Sequence, residues 1–425
     1  MGRFVIQTTR MILFSILALT FSAPLQTNAQ PQKRATPARA RRKHESNIRF
    51  ASGKSALKIP FDLSGNLILL PVRVNDSKPL WFIFDTGADS TVIDAALVKQ
   101  LHLSSVGKVT GSGSGGSAEA VILKGVSLKL PNVEASHRTV AALPLDFLSA
   151  PLGRKISGIL GNDITKEFVV EIDYAARNIN LYEPLSYRYS GAGEIIPIIL
   201  EENLPFVRAR FVLEGLAAIA GKFELDTGST GAVLFNTPFV KKHQLLKSIP
   251  QTSQTRIGGV GGTAQAFLGR VKSVALGRFA LENAVARFSQ STRGDYATDK
   301  YDGLVGGEIL HRFHVVIDYS RRRMMLEPNA EFSAPYEADM SGMKLVADGD
   351  DFSIVLVDDV ESKSPAAEAG IQGGDTITAI DGHPAQEFTL DQIRRMLMQD
   401  GREYLITLKR GEQTVQARFK LKRSI

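Results

Sequence analysis

The chain has no cysteine. That absence excludes disulfides and also excludes a lipid-modified cysteine after an export signal. A chain of 425 residues can manage without cross-links, because its domains are large enough to build their own cores. Only one tryptophan is present and no nucleic-acid-binding motif is recognisable, so nucleic acid is not an expected partner despite a net charge of +7. Neither a His-Glu-x-x-His zinc pattern nor a Gly-x-Ser-x-Gly element occurs, so metal-dependent and serine hydrolase mechanisms lack a signature. Long apolar runs are scarce as well. The candidate at residues 11–21 is too short for a comfortable membrane span. Arg3 and Arg10 precede it and Thr27-Asn28-Ala29 follows, the layout of an export signal over residues 1–29. The protein is therefore expected in the periplasm or outside the cell, with no stable membrane span once the signal is cleaved. The other reading keeps this segment as an uncleaved anchor.

Residues 30–57 are rich in Pro, Ala and Arg and read as a basic disordered spacer. Lys33, Arg34, Arg39, Arg41, Arg42 and Lys43 fall there with no acid before Glu45, and they supply most of the net charge. Such a run is ordinarily a solvated tail; attraction to an acidic envelope surface and a cleavable pro-segment are the alternatives.

What the chain does contain is Asp-Thr-Gly, twice, each time after an apolar run. Leu80-Trp81-Phe82-Ile83-Phe84 leads into Asp85-Thr86-Gly87-Ala88, and Phe223-Glu224-Leu225 into Asp226-Thr227-Gly228-Ser229. A single copy would be an ordinary polar turn after a strand, but here the surroundings repeat too. A glycine-rich stretch follows each copy, with Gly111, Gly113, Gly115 and Gly116 after the first and Gly258, Gly259, Gly261 and Gly262 after the second. Gly158-Ile159-Leu160-Gly161 is echoed by Gly303-Leu304-Val305-Gly306, and Val170-Glu171-Ile172-Asp173-Tyr174 by Val316-Ile317-Asp318-Tyr319. The aspartates lie 141 residues apart, and 145 separate Gly161 from Gly306 and Tyr174 from Tyr319. This is a duplicated unit. Phe223 and Leu225 alternate with Lys222 and Glu224, the period of a half-buried strand, whereas Leu80 to Phe84 is apolar throughout, as in a strand covered on both faces. Gly87 and Gly228 let the chain turn where a side chain would block a facing loop, and Thr86 and Thr227 carry hydroxyls able to hold the loops together. Two carboxylates brought face to face can share one proton and activate a water.

Each unit resembles the retropepsin-like aspartic protease domain, and the resemblance covers both repeats end to end, residues 58–190 and 191–332. It implies a mostly β fold with two β-barrel lobes in tandem. Asp85 and Asp226 would be the catalytic pair. Thr86, Gly87, Ala88, Thr227, Gly228 and Ser229 would support their loops, and the eight glycines named above would form two flaps over the substrate. Ile159-Leu160-Gly161 and Leu304-Val305-Gly306 would cross behind the active loops. Given that geometry, the Ser229 hydroxyl, which Ala88 lacks, is expected to favour the ionised form of Asp226 and leave the shared proton on Asp85. No metal or organic cofactor is needed, and the partner is a peptide or protein substrate. The lobes are expected to pair within one chain, as a monomer, because a tethered lobe has the higher effective concentration. Pairing between chains, and a non-catalytic peptide-binding protein built from the same lobes, are the alternative readings.

Beyond Pro335 the pattern changes. Ser364-Pro365-Ala366-Ala367-Glu368-Ala369-Gly370 leads to Gly373-Gly374-Asp375 and Ile380-Asp381-Gly382. Thr389-Leu390-Asp391-Gln392 is a capping box opening a helix, and two strand patterns flank Arg410-Gly411. Residues 336–425 resemble the PDZ domains of bacterial exported proteases, a β-sandwich with helices that binds an extended peptide at a sheet edge. The resemblance puts the peptide-binding loop at Phe352, Ser353 and Ile354. Ser353 stands where the family usually has Gly, and Asp350 and Asp351 beside it would repel a peptide carboxylate.

Overall fold

The computed structural model describes residues 47–425 and the backbone of Leu13–Phe14. The expected export signal and most of the basic spacer lie outside the described residues. Folded chain begins earlier than the spacer reading allowed. Ile48–Phe50 pairs antiparallel with residues 133–135, and Ser55–Pro60 pairs with Asn178–Tyr182. Ala56 and Ile59 are fully buried there, so the apolar residues late in the spacer serve as strand.

The chain is mostly strand. The first repeat, with Ile48–Phe50 added, forms a nine-stranded sheet, and the second, with Leu13–Phe14 added, an eleven-stranded one. In each, the strand before Asp-Thr-Gly takes a parallel neighbour from the later glycine repeat: Gly158–Leu160 beside Phe82 to Phe84, and Gly303–Gly306 beside Phe223 to Asp226. A side chain at Gly158 would put its Cβ 2.1 Å from the Phe82 ring, so the strands pack this closely because glycine is there. A six-stranded sheet joins the lobes. At its centre the two closing strands, Val169–Asp173 and Phe313–Asp318, pair antiparallel, with Val169 opposite Asp318 and Asp173 opposite His314. One apolar core runs from Ala56 in the first lobe to Leu326 and Tyr336 in the second.

The second lobe also extends past its expected end at residue 332. Tyr336 is buried with the Arg312 guanidinium 3.7 Å from its ring centre, and Arg312 donates to the carbonyls of Glu331 and Pro335. The residues after 332, and Tyr336 at the expected start of the PDZ domain, are tied to the second lobe by one arginine.

The C-terminal region has its own core, from Met340 to Leu421. Its sheet runs in the order Met343–Asp348, Ile354–Val360, Thr376–Ile380, Glu403–Arg410, Gln413–Lys420. Thr389 caps the helix Leu390–Met396 with both bonds of the box, Thr389 Oγ1 accepting from the Gln392 N–H and Gln392 Oε1 from the Thr389 N–H. This helix rests on the first lobe: Arg394 donates to the Pro151 carbonyl at 2.7 Å and Asp391 accepts the Gly65 N–H at 3.0 Å, while Arg394 also donates to the Leu345 carbonyl of its own domain at 2.7 Å. Among the described residues no helix is long and apolar enough to cross a membrane.

Candidate active site

Strand alternation sets the two aspartates. Phe82 and Phe84, like Phe223 and Leu225, point into the main core, so Asp85 and Asp226 emerge on the opposite face with Ile83 and Glu224. The loops then meet head to head. A Cβ on Gly87 would lie 2.7 Å from Asp226 Oδ1, and one on Gly228 would lie 2.3 Å from the Asp85 carboxyl carbon. Glycine leaves the space that the opposing carboxyl fills.

The threonines lock this arrangement reciprocally. The Thr86 N–H donates to Thr227 Oγ1 and the Thr227 N–H to Thr86 Oγ1, both at 3.0 Å. Each hydroxyl in turn donates across the pseudo-twofold axis, Thr86 to the Leu225 carbonyl at 2.6 Å and Thr227 to the Phe84 carbonyl at 2.8 Å. Four buried groups per loop pair are thereby satisfied.

Asp85 and Asp226 are both 0 % exposed and within hydrogen-bonding reach of each other. The N–H of Gly87 holds Asp85 Oδ1 and that of Gly228 holds Asp226 Oδ1, each at 2.8 Å. Oδ2 of each has no partner among the described residues. Burial pushes Asp85 up to about 7, against the pull of the Gly87 and Ala88 N–H groups. Asp226 rises well above the usual carboxylate range through burial and the charge of Asp85, against the Gly228 and Ser229 N–H groups. The two carboxyls rise together, as a pair that shares one proton, and the expected preference for charge on Asp226 stays an expectation. The arrangement can hold a carboxylic acid beside a carboxylate near neutral pH.

A support absent from the sequence reading stands behind the first loop. Asn162 Nδ2 donates to the Thr86 carbonyl, and Tyr319 donates its hydroxyl to Asn162 Oδ1 at 2.9 Å. The second lobe has Gly307 where the first has Asn162; a Cβ there would lie 2.4 Å from the Asn66 carbonyl oxygen. Tyr174, the repeat partner of Tyr319, is consequently left with an unpartnered buried hydroxyl. The signal was the Gly-Asn pair at 161–162, where the repeat breaks.

The glycine-rich stretches are hairpins, Ser104–Gly113 with Gly116–Leu130 and Ser253–Gly259 with Gly262–Arg270. Their tips touch over the carboxyls, the Gly115 N–H donating to the Val260 carbonyl at 2.9 Å. Gly113, Gly115, Gly116, Gly261 and Gly262 form this contact, and a Cβ on Gly115 would fall 2.1 Å from Gly262 O. Gly111, Gly258 and Gly259 lie in the strands below, opposite Ala118, Thr263 and Gly262. The outer edge of the second hairpin carries Leu13–Phe14 as a parallel neighbour of Ile257 and Gly258. No cluster of three or more His, Asp or Glu among the described residues is arranged to hold a metal ion.

In the C-terminal domain, Phe352 adopts φ +58° and Ser353 and Ile354 follow at the start of the strand Ile354–Val360. Asp351 Oδ1 accepts the Ser353 N–H at 3.1 Å, and the bonds from Ser353 hold the Asp351 carboxyl below its ordinary range. The Ser353 N–H, in the loop that the resemblance assigns to peptide binding, is already engaged by this internal carboxylate. The adjoining cavity of about 480 Å³ is shared with the first lobe and lined by Arg154, Arg177, Phe352, Ser353, Leu390 and Arg395 among others. Peptides that bind this groove are therefore expected to bind equally well with a free or an amidated C-terminus, by fluorescence anisotropy. A tenfold preference for the free acid would mean that Asp351 yields its place.

A family model described as aspartyl protease matches residues 70–164, a span containing Asp85, the first flap and Gly158–Leu160. A PDZ domain model matches residues 356–410. No curated protein matches the chain. Fold and matches together identify a retropepsin-like aspartyl protease domain followed by a PDZ domain.

Proposed function

We propose that the protein is an exported, single-chain aspartic endopeptidase whose PDZ domain binds substrate or partner peptides. The observation that carries this reading is the face-to-face meeting of Asp85 and Asp226, held by the reciprocal Thr86 and Thr227 bonds. A water between the carboxyls loses a proton to the ionised one while the protonated one donates to the scissile carbonyl. The resulting tetrahedral adduct collapses as the leaving amine takes a proton back from the pair. Gly115 and Val260 close the flaps over the bond and exclude bulk water. The shared proton and the buried setting favour acidic to neutral conditions, in line with the raised Asp85 value of about 7.

The test is digestion of an unfolded protein by purified chain across pH 3 to 9, with and without a peptide inhibitor carrying a hydroxyl in place of the scissile carbonyl. Expected is cleavage at acidic to neutral pH that the inhibitor abolishes. A folded chain that cleaves nothing, or that ignores the inhibitor, would sink the proposal.

A further inference from the structure

The two lobes differ beside the aspartates. Two residues before Asp85 stands Ile83, packed in an apolar cluster with Leu69, Val92 and Ile159. Two residues before Asp226, at the same place in the repeat, stands Glu224. It lies opposite Phe206 on one neighbouring strand and Leu304 on the other, two members of the equivalent cluster of the second lobe. Glu224 is 0 % exposed and neither of its carboxyl oxygens has a hydrogen-bond partner among the described residues. The charged groups that act on it are Asp226, Asp295, Asp85 and Asp89, all acids. Two further polar atoms nearby lack partners among the described residues, the Tyr301 hydroxyl and Asp295 Oδ2. An apolar side chain would fill this place at no such cost, as Ile83 does across the axis.

We propose that Glu224, with Tyr301 and Asp295, forms a cation-selective subsite that receives a lysine or arginine side chain flanking the scissile bond. This rests on the protease reading. Strand alternation puts Glu224 on the face of Asp226, beneath the flap that would cover a bound peptide. A lysine ammonium has three donors and no acceptor, and an arginine guanidinium five. Either matches the oxygens of Glu224, Tyr301 and Asp295, where Lys300 acts on Asp295 but only acids act on Glu224. Burial and the neighbouring acids raise the Glu224 carboxyl well above its ordinary range, and an entering cation would favour its ionised form. The Ile83 side keeps an apolar wall, so the neighbouring position across the bond takes an apolar side chain.

The experiment compares paired peptides that differ by lysine or norleucine at each position flanking the bond. Cleavage is measured with wild type, Glu224→Leu and Glu224→Gln, and binding with Asp85→Asn and with Asp85→Asn/Glu224→Leu. Expected is at least a tenfold lysine preference at one flanking position, in kcat/KM and in affinity alike. Glu224→Leu should reverse it and Glu224→Gln weaken it. Equal handling of the two peptides by wild type, or a lysine preference that survives Glu224→Leu, would overturn the subsite. If wild type cleaves neither peptide, the protease reading fails. The affinities of the Asp85→Asn chains then decide the subsite alone.

Discussion

Asp85→Asn and Asp226→Asn each reduce kcat by a factor on the order of 10⁴ or more, since each removes one half of an acid–base pair whose members act as a unit. The same substitutions make the chain more stable at neutral pH. Burial raises the Asp85 carboxyl from its ordinary 3.8 to about 7 in the folded chain, so between those values the folded chain binds the proton more tightly. Its stability is full below the lower value, declines as pH rises through the window, and stays reduced above it. An amide cannot ionise and escapes that decline. The melting temperature of Asp85→Asn relative to wild type should therefore increase by several degrees from pH 4 to pH 8, since each pKa unit corresponds to about 1.4 kcal/mol. Thermal melts at the two pH values check this. A difference that does not move with pH would mean that the carboxyls ionise as exposed ones do.

Thr227→Val is expected to cost about 2–4 kcal/mol of stability and roughly a hundredfold in kcat, with KM little changed. Valine keeps the shape but removes the hydroxyl that accepts the Thr86 N–H and donates to the Phe84 carbonyl. Both groups are buried, so they are left unsatisfied and the Asp85 loop loses its register. Thr227→Ser retains the hydroxyl and should recover most of the activity. A valine variant that behaves as wild type while the serine variant is impaired would show that the methyl group, not the bonded hydroxyl, positions the loop. Steady-state kinetics alongside thermal melts separate the two outcomes.

The duplicated spacing made the two-lobe architecture readable, because matched strands at a near-constant offset leave few ways to pair other than about a pseudo-twofold axis. Gly87, Gly228 and the threonines were legible for the same reason: facing loops need a missing side chain and a hydroxyl each. Glu224 was not. Its alternation with Phe223 and Leu225 gave a half-buried strand with Glu224 on the wet face, yet that face lies beneath the flaps and Glu224 is fully buried. Alternation tells faces apart without telling what covers each. Asn162 and Tyr319 escaped because their bond joins residues 157 apart and exists in one lobe only. The start of the fold near Ile48 was hidden by the charge run ahead of it, and its end at Tyr336 by an arginine contact without local periodicity. The doubt over the PDZ loop came from Asp351, and the bond from Ser353 gives it a physical form.

The most direct measurement mixes purified Asp85→Asn and Asp226→Asn chains and assays cleavage of an unstructured peptide against wild type. With both carboxyls supplied by one chain, and the lobes joined through the central six-stranded sheet, the mixture should remain as inactive as either variant alone. Substantial recovered activity would mean that lobes pair between chains, and would contradict the single-chain site.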